Sequence, residues 1–253
     1  MEQDFDHIAH EYDKGFTNTL IGAEQRKQVW KHLVPLQKGL KCLELNCGTG
    51  EDAKRLCEMG CEVDATDISS EMLLVTQQKI SRLGGRTFQL NINDLSPAHV
   101  NNKQLIFSNF GGLNCISPTD WKELALTLRH LPNHARIVVV IMGRKCLWER
   151  CYFRIKPKNS WSRRNKEAVM ANVEGVKVKT WYYSPSQIKD FLKDFKYVKS
   201  RPIGFFVPPS YLENFFTKRS GLFRLLALLD QLVGQMAFLA NYSDHFYIEF
   251  RKE

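Results

Sequence analysis

The sequence lacks any long apolar run free of charge. Its most apolar stretch, residues 222–240, is interrupted by Arg224 and Asp230, whereas a membrane-spanning helix needs about 20 consecutive, predominantly apolar residues. Residues 1–14 are polar and acidic, so they do not contain the apolar segment of a secretory signal peptide. We therefore expect a cytoplasmic protein without a transmembrane segment.

Signals for disulfides and metal sites are also lacking. The seven cysteines are an odd number with no C-x-x-C pair, and no H-E-x-x-H motif is present. Two histidines lie close together in sequence, His130 and His134, but Pro132 lies between them. We therefore expect reduced cysteines that behave as small buried side chains, and no metal site.

Acidic residues are scarce in one segment of the chain. The net charge is +9, and residues 144–179 contain eleven lysines and arginines against three glutamates, so this segment holds nearly the whole excess. Such a cluster attracts an acidic substrate, a nucleic acid or an anionic membrane. A solvated face without a partner is the alternative, and the sequence leaves both open.

The first 145 residues alternate between strand-like and helix-like segments. Nearly continuous apolar character predicts strands at 41–45, 61–66, 87–92, 104–108 and 136–143, and helices are predicted at 21–34, 51–58, 70–83 and 120–131. Alternation of this kind is typical of an α/β protein whose doubly wound, parallel sheet is covered by helices on both faces.

The pattern changes after residue 144. We predict a half-exposed strand at 176–184, a helix from Ser184 or Ser186 to 195, a strand within 197–207, helices over 212–239 with a break at Gly221, and a final strand at 244–252. No internal repeat and no long linker divides the chain, which predicts a single domain.

A glycine turn follows the first strand, in the sequence "CLELNCGTGEDA". A strand that runs into Gly48-Thr49-Gly50 and then a helix brings a ligand against bare backbone at the helix N-terminus. The segment also fits the dinucleotide pattern G-x-G-x-x-A. However, Glu44, Glu51 and Asp52 flank the turn and would repel a pyrophosphate. Acids suit S-adenosylmethionine, whose sulfonium and ammonium are cationic; an NAD-dependent oxidoreductase is the alternative.

Asp67 closes the second strand. A carboxylate at this point can accept hydrogen bonds from both ribose hydroxyls of an adenosine cofactor, and NAD enzymes use the same device. Its other explanation is a helix N-cap before Ser69-Ser70. Asp67 therefore supports a cofactor that contains adenosine, but it does not distinguish S-adenosylmethionine from NAD.

Taken together, these motifs resemble a known enzyme family. The stretch "CLELNCGTGEDAKRLCEMGCEVDATDISSEML" is similar to the first two motifs of class I S-adenosylmethionine-dependent methyltransferases, and it is nearest to the ubiquinone/menaquinone-biosynthesis-like branch, also called type 11. The opening "FDHIAHEYDKGF" resembles that branch's F-D-x-x-A-x-x-Y-D element, and "QLIFSNFGGLN" resembles its fourth strand and following loop. The resemblance covers about residues 5–145.

The resemblance implies a Rossmann-like methyltransferase fold. Its sheet would have seven strands, six parallel and one antiparallel, with 244–252 as the antiparallel strand beside 136–143 or its neighbour. Residues 1–253 would form one methyltransferase domain, in which 1–35 cover the cofactor, 36–145 bind it and 146–253 form the substrate side with basic and apolar helical insertions.

The resemblance also implies a cofactor site. Its residues would be Tyr12, Arg26, Glu44, Asn46, Gly48, Thr49, Gly50, Asp67, Ile68, Met72, Asn91, Ile92, Asn109 and Phe110. Among them, Glu44 and the glycines would hold the methionine part, and Arg26 would reach its carboxylate unless it is an exposed helix arginine. Tyr12 would cover the sulfonium from the N-terminal arm. S-adenosylhomocysteine would be the product.

The adenosine half of the cofactor would lie between the second and fourth strands. Asp67 would bind the ribose, and Ile68 and Met72 would pack on the adenine. Asn91 stands where the family usually has an aspartate that faces the adenine amino group, and an amide oxygen can accept the same bond. Ile92 would donate its backbone N–H to the ring, and Asn109 and Phe110 would line the methyl-transfer region.

No catalytic base is evident in the sequence. Methyl transfer is an in-line displacement that requires the reacting atoms to be held collinear, and a base is needed only for a poorly ionised acceptor. His7, His10 and His245 are candidates, although each is also explained as an ordinary histidine. The catalytic residues are therefore left open.

The acceptor has to be inferred from the second half of the chain. Residues 205–240 are rich in Phe, Leu and Tyr, which indicates a hydrophobic or lipid-like small molecule, or a helix that lies on a membrane surface. These residues would otherwise bury against the sheet. Ser108-Asn109-Phe110-Gly111 replaces the D/N-P-P-Y/F element of base-amino methyltransferases, which counts against nucleic acid. A nucleic-acid methyltransferase and a non-catalytic cofactor-binding protein remain the alternatives, and the sequence does not give the oligomeric state.

Overall fold

The centre of the molecule is a seven-stranded sheet. The structure is a computed structural model that describes residues 15, 17–155, 163–173 and 176–253. Its strands are β1 (Lys41–Leu45), β2 (Glu62–Asp67), β3 (Arg86–Gln89), β4 (Leu105–Ser108), β5 (Arg136–Met142), β6 (Val169–Val173), β7 (Val176–Thr180), β8 (Lys196–Ile203) and β9 (His245–Arg251). The order in the sheet is β3-β2-β1-β4-β5-β9-β8, and β6 and β7 form a separate antiparallel pair.

Strand directions are those of a Rossmann-like methyltransferase fold. Strands β3, β2, β1, β4 and β5 are parallel neighbours, and β9 is inserted antiparallel between β5 and β8. The predicted fold class is therefore confirmed, including the antiparallel C-terminal strand beside β5. This topology matters for the site because the carboxyl ends of β1, β2 and β4 meet at one edge of the sheet.

Helices cover both faces of the sheet. They are α1 (Leu20–Leu33), α2 (Glu51–Glu58), α3 (Ser70–Ile80), α4 (Pro97–Val100), α5 (Pro118–Leu128), α6 (Leu147–Ile155), α7 (Pro185–Phe191), α8 (Glu213–Thr217) and α9 (Ser220–Val233). The surroundings of strand β5 explain why its sequence is continuously apolar. Val139 and Ile141 pack in the core under α5 and α7, whereas Val138 and Val140 pack in the core under α1, α2 and α3, so both faces of the strand are buried.

Local signals fix most helix starts. The Ser69 hydroxyl accepts a hydrogen bond from the Met72 N–H (3.2 Å) at the start of α3. Of the two serines predicted to cap the 184–195 helix, Ser184 is the cap, and Gln187 completes its capping box at α7. Such bonds satisfy N–H groups that have no partner within the helix.

Several boundaries differ from the predictions, and two of the differences have a clear local cause. The third strand ends at Gln89 rather than at residue 92, because the Asn91 side chain accepts from the Asn93 N–H (3.1 Å) and begins a 3-10 turn at Ile92–Asp94. The break within 212–239 lies between α8 and α9 and not at Gly221, which is the second residue of α9. There, the Arg219 N–H bonds to the Phe216 carbonyl (2.9 Å) and ends the first helix.

The basic segment 144–179 divides into internal and external parts. Arg164 is buried, and its guanidinium donates to Glu149 Oε1 (2.9 Å) and Asp244 Oδ1 (2.6 Å). On β7, Lys177 and Lys179 are exposed. Part of the charge therefore stabilises the fold and part of it is solvated. Among the described residues, no helix combines the length and apolar character needed to cross a membrane.

Candidate active site

A cavity of about 200 Å³ opens at the carboxyl ends of β1, β2 and β4. Twelve of the fourteen predicted cofactor residues line it: Arg26, Glu44, Asn46, Gly48, Thr49, Asp67, Ile68, Met72, Asn91, Ile92, Asn109 and Phe110. Gly50 lies behind the lining, and Tyr12 falls outside the described residues. The parallel topology thus brings together side chains that are up to 84 positions apart, from Arg26 to Phe110.

The glycine turn is held by two neighbouring elements. The Gly48 N–H donates to Asp67 Oδ2 (2.9 Å), and the Thr76 hydroxyl donates to the Gly48 carbonyl (2.8 Å). Gly48 has φ +56°, and a Cβ there would meet open space, whereas a Cβ on Gly50 (φ +74°) would lie 2.5 Å from Thr76 Cγ2. Gly48 therefore leaves bare backbone at the cavity, and Gly50 allows α3 to pack against the turn.

Glu44 is a buried carboxylate that the fold does not satisfy. Its side chain is 2% exposed at the end of β1, and its Oε2 has no hydrogen-bond partner among the described residues. Burial raises the pKa of Glu44 well above its usual range, the nearby Asp52 and Asp67 add to this shift, and Arg26 opposes it. A carboxylate left in this state is costly, so the site is built for a cation that pairs with it.

Asn46 adds a second unsatisfied acceptor beside Glu44. Its Oδ1 also has no partner within the described parts of the chain, and its backbone is left-handed, with φ +56°. Phe110, after β4, is left-handed as well, with φ +50°. Left-handed backbone costs about 1–2 kcal/mol at a residue other than glycine and tends to occur at functional sites. Both of these residues line the cavity.

Asp52, unlike Glu44, is fully engaged within the protein. Its Oδ1 accepts from Trp30 Nε1 (2.7 Å), and its Oδ2 accepts from Asn109 Nδ2 (2.9 Å) and Arg26 Nε (3.3 Å). The Arg26 side chain is 14% exposed and lies 5.1 Å from the Phe110 ring centroid. The alternative of an exposed helix arginine is therefore wrong: Arg26 lies at the cavity and ties α1 to α2.

Asp67 lies at the end of the cavity where the adenosine was predicted to bind. Asp67 Oδ1 accepts from the Ser69 N–H (3.1 Å), and its other oxygen accepts from the glycine turn, so the carboxylate is fixed in orientation. Carboxylates can accept about four hydrogen bonds, which is compatible with further bonds from hydroxyl groups. Ile68 and Met72 give this end of the cavity an apolar wall, opposite the turn that contains Asn91 and Ile92.

The remaining wall of the cavity includes six residues that sequence analysis did not assign to the site. These are Thr17, Cys115, Ile116, Met142, Val178 and Thr180. The last two lie on β7, where they are buried and alternate with the exposed Lys177 and Lys179. The alternation of "KVKT" was the available signal, since every second side chain of a strand points to the same face. Burial raises the pKa of Cys115 to about 11, so its thiol is neutral.

Of the three candidate bases, His245 is the one that the structure describes, and it does not line the cavity. His245 is buried behind Phe110, with the two rings 5.5 Å apart and edge to face, and it is not a lining residue. Its Nδ1 is 3.2 Å from Asp244 Oδ2. Burial acts to raise the pKa of Asp244, but His245 and Arg164 hold that pKa well below its usual range. His7 and His10 fall outside the described residues.

The charge of the cavity decides the class of ligand. Glu44, Glu51, Asp52 and Asp67 line it, and Arg26 is the only base among the described lining residues. A pyrophosphate would be repelled, whereas the ammonium and sulfonium of S-adenosylmethionine would be attracted. Together with the strand order, this charge fits the site of a class I S-adenosylmethionine-dependent methyltransferase.

Comparisons with known proteins agree with this class. Residues 42–133 match the family described as "Methyltransferase domain". The curated protein "Putative methyltransferase YqeM" of Bacillus subtilis (strain 168) is 53% identical over 45 residues, which are 18% of this chain and 18% of that protein. The match thus spans less than a fifth of the curated relative.

Solved structures show the same fold at low sequence identity. A Haemonchus contortus phosphoethanolamine N-methyltransferase 2 in complex with S-adenosyl-L-methionine has a TM-score of 0.61 and 16% identity, over 98% of this chain and 57% of that one. An S-adenosylmethionine-dependent methyltransferase from Mesorhizobium loti has a TM-score of 0.59 and 15% identity, over 91% of this chain and 99% of that one.

Residues 42–133 therefore carry a methyltransferase domain, and the chain as a whole has the class I methyltransferase fold. The predicted enzyme class and cofactor are confirmed.

Proposed function

We propose that this protein transfers the methyl group of S-adenosylmethionine to a small, apolar acceptor. The observation that carries the proposal is the buried carboxylate of Glu44, which faces a largely acidic cavity without a partner among the described residues. The proposal assigns the cofactor to residues 36–145 and the acceptor to the wall formed with residues 146–253, within one domain of residues 1–253.

In this proposal the chain's residues hold the cofactor at both ends. Glu44 and the Asn46 amide oxygen accept from the ammonium, and the bare backbone at Gly48 and Thr49 accommodates the methionine part. Asp67 accepts from the ribose hydroxyls. The adenine lies against Ile68 and Met72, with Asn91 and Ile92 at its polar edge. Tyr12 covers the sulfonium from the arm.

Catalysis would rest on positioning rather than on proton transfer. The bound cofactor supplies a methyl group on a sulfonium, which is a good leaving group. Phe110, Val178 and Thr180 exclude water and orient the acceptor toward the cofactor, which raises the effective concentration of the nucleophile. Since no histidine among the described residues lines the cavity, the acceptor should present an atom that is already nucleophilic, such as an ionised phenol or acid.

An apolar acceptor is supported by the composition of this wall. Phe110, Ile116, Met142 and Val178 line the cavity beyond the acidic half, and apolar walls with few polar groups are typical of sites for hydrophobic ligands. The same feature, with the "FDHIAHEYD" sequence at 5–13, supports placing the chain in the ubiquinone/menaquinone-biosynthesis-like branch. The acceptor atom is left open.

The test begins with isothermal titration of S-adenosylmethionine and S-adenosylhomocysteine into the protein and into Asp67→Ala. Asp94→Ala is the matched control, because Asp94 is exposed in the turn beside the cavity and does not line it. We expect binding by the wild type and the control, and a loss of at least tenfold in Asp67→Ala, since a bond to a charged group contributes about 1.5–3 kcal/mol.

Transfer is then measured with radiolabelled cofactor and a panel of lipid-soluble phenols and acids, with RNA and DNA as comparison substrates. Labelling of an apolar member supports the proposal, and labelling of nucleic acid alone would refute it. If the wild type binds the cofactor but labels neither class, the non-catalytic alternative gains support. If the folded wild type binds neither ligand, the assignment of the cofactor site is wrong.

A further inference from the structure

An apolar surface that no described residue covers lies on the C-terminal helices. Eight of the nineteen large hydrophobic side chains that are exposed in the described parts of the chain lie in 211–238: Tyr211, Phe215, Leu222, Leu225, Leu228, Leu232, Met236 and Phe238. Exposure reaches 75% at Leu232 and 68% at Phe238. These residues lie on α8, on α9 and in the turns that flank the two helices. We call them the α8–α9 face. Clusters of this kind on a protein surface mark an interaction site.

The helices that present this face are anchored firmly. On their inner side, Phe216, Phe223 and Ala227 pack with Ile21 and Val207 in a separate buried cluster. The outward leucines are therefore not the loose side of a mobile helix. The helix that carries them is held in place by the buried cluster on its inner side, to which Ile21 and Val207 contribute.

Both acids of the segment are engaged by backbone N–H groups of neighbouring segments. Glu213 accepts from the backbone N–H groups of Leu20 (2.8 Å) and Ile21 (3.0 Å) and so caps α1. Asp230 is 4% exposed and accepts from three backbone N–H groups at residues 205–207, at 2.8–3.1 Å. Glu213 is thus half-buried and engaged by α1, and Asp230 is buried.

The bases of the same segment point outward. Lys218, Arg219 and Arg224 are exposed, and none of them forms a salt bridge with a described residue. Arg219 lies over the Phe215 ring, 4.0 Å from its centroid, which places a charge at the edge of the apolar residues. The outer surface is thus apolar and positive, with no acid of its own segment exposed.

We propose that the α8–α9 face docks on an anionic lipid surface. A helix whose apolar side enters the boundary between headgroups and acyl chains, with basic residues at its rim, binds by burial of apolar area and by attraction to anionic lipids. A second copy of the chain fits less well. Across a two-fold axis the same patch meets itself, so the bases of the two copies would face each other without an acid of the segment to pair with.

The α8–α9 face is connected to the cavity through the start of α1. Glu213 of α8 holds the first residues of α1, and Thr17, three residues before α1 begins, lines the cavity. The lipid-facing surface and the cavity therefore share the start of α1. An apolar acceptor dissolved in the bilayer would have a short path to the site. The docking itself goes beyond the proposed reaction and can be tested without turnover.

The experiment is vesicle flotation of the full chain, with vesicles of phosphatidylcholine alone and with added phosphatidylserine. We expect flotation with the anionic vesicles and its reduction by salt, since screening weakens the attraction. Leu225→Glu and Leu232→Glu should each lower partitioning by about tenfold. The matched control is Leu126→Glu, because Leu126 is a comparably exposed helix leucine (46%) on α5 and should have no effect.

The charge is tested separately with Lys218→Gln and Arg224→Gln. Each should lower partitioning by about fivefold, and only on anionic vesicles. Absence of flotation by the wild type would overturn the proposal, as would an equal loss in Leu126→Glu. A dimer in sedimentation equilibrium that Leu232→Glu dissociates would also overturn it, in favour of a second copy of the chain. Cofactor binding of every variant shows that it is folded.

Discussion

Replacing Glu44 with glutamine should weaken cofactor binding without destabilising the fold. The Oε2 of Glu44 has no partner among the described residues, and burial raises its pKa. A carboxyl whose pKa is raised by folding is stabilising below its unfolded pKa, and that contribution is lost as the pH rises through the folded pKa. Glutamine is neutral at every pH. Glu44→Gln should therefore unfold at the same temperature as the wild type or at a higher one.

The expected loss of affinity follows from the bond that is removed. A hydrogen bond to a charged group contributes about 1.5–3 kcal/mol, which corresponds to a loss of about 10- to 150-fold in affinity for S-adenosylmethionine. Isothermal titration measures this loss, and thermal denaturation of the same samples without ligand measures stability.

Glu249 provides a control of opposite character. It is also buried, at 3% exposure, but it accepts from Arg136 Nε (2.8 Å) and the Tyr247 hydroxyl (2.6 Å). Burial acts to raise the pKa of Glu249, but Tyr247 and Arg136 hold it below its usual value. Glu249→Gln should therefore lower the free energy of unfolding by roughly 2 kcal/mol and leave cofactor affinity unchanged. If Glu44→Gln binds the cofactor as the wild type does, or loses as much stability as Glu249→Gln, the reasoning about Glu44 is wrong.

Two further predictions concern the same region. Because a cation pairs with the ionised form of Glu44, cofactor binding should release a proton and strengthen as the pH rises toward the raised pKa of Glu44. Calorimetric titration in two buffers of different ionisation enthalpy measures this proton release. Equal heats of binding in the two buffers would contradict the prediction. A Cβ on Gly112 would lie 2.4 Å from Asn46 Cβ, so Gly112→Ala should cost about 1–3 kcal/mol of stability and weaken cofactor binding. Its control is Gly221→Ala on α9, where a Cβ meets open space and stability should rise by about 0.5–1 kcal/mol; chemical denaturation compares the two.

The elements of the fold were largely predictable because their signals are local. The apolar run of β5 is buried on both faces, and such a strand needs no tertiary information to be recognised. The clustering of the predicted site residues around one cavity followed as well, since residues that end parallel strands meet at one edge. The boundary of β3 was missed because Asn91 bonds its own backbone two residues on, a turn that competes with the strand.

The partners of the acidic residues were not predictable from the sequence. Asp52 is bound by Trp30, Arg26 and Asn109, and the last of these lies 57 residues away. Val178 and Thr180 reach the cavity from a hairpin whose placement no local pattern records. Periodicity gives the face of an element to which a side chain belongs, but it does not show which element packs opposite that face.

The partners of the acidic residues also determine which of them can attract a cationic cofactor. In the sequence, Glu44, Glu51 and Asp52 look like equal contributors to a negative turn. In the structure, Asp52 is bound by Arg26, and Glu51 lies 3.5 Å from Lys79 Nζ, so two of the three charges are already balanced by the protein. The preference for a cationic ligand then rests mainly on Glu44, whose desolvation only a ligand can offset. A single unsatisfied carboxylate thus carries more information about the ligand than the count of acids around the turn.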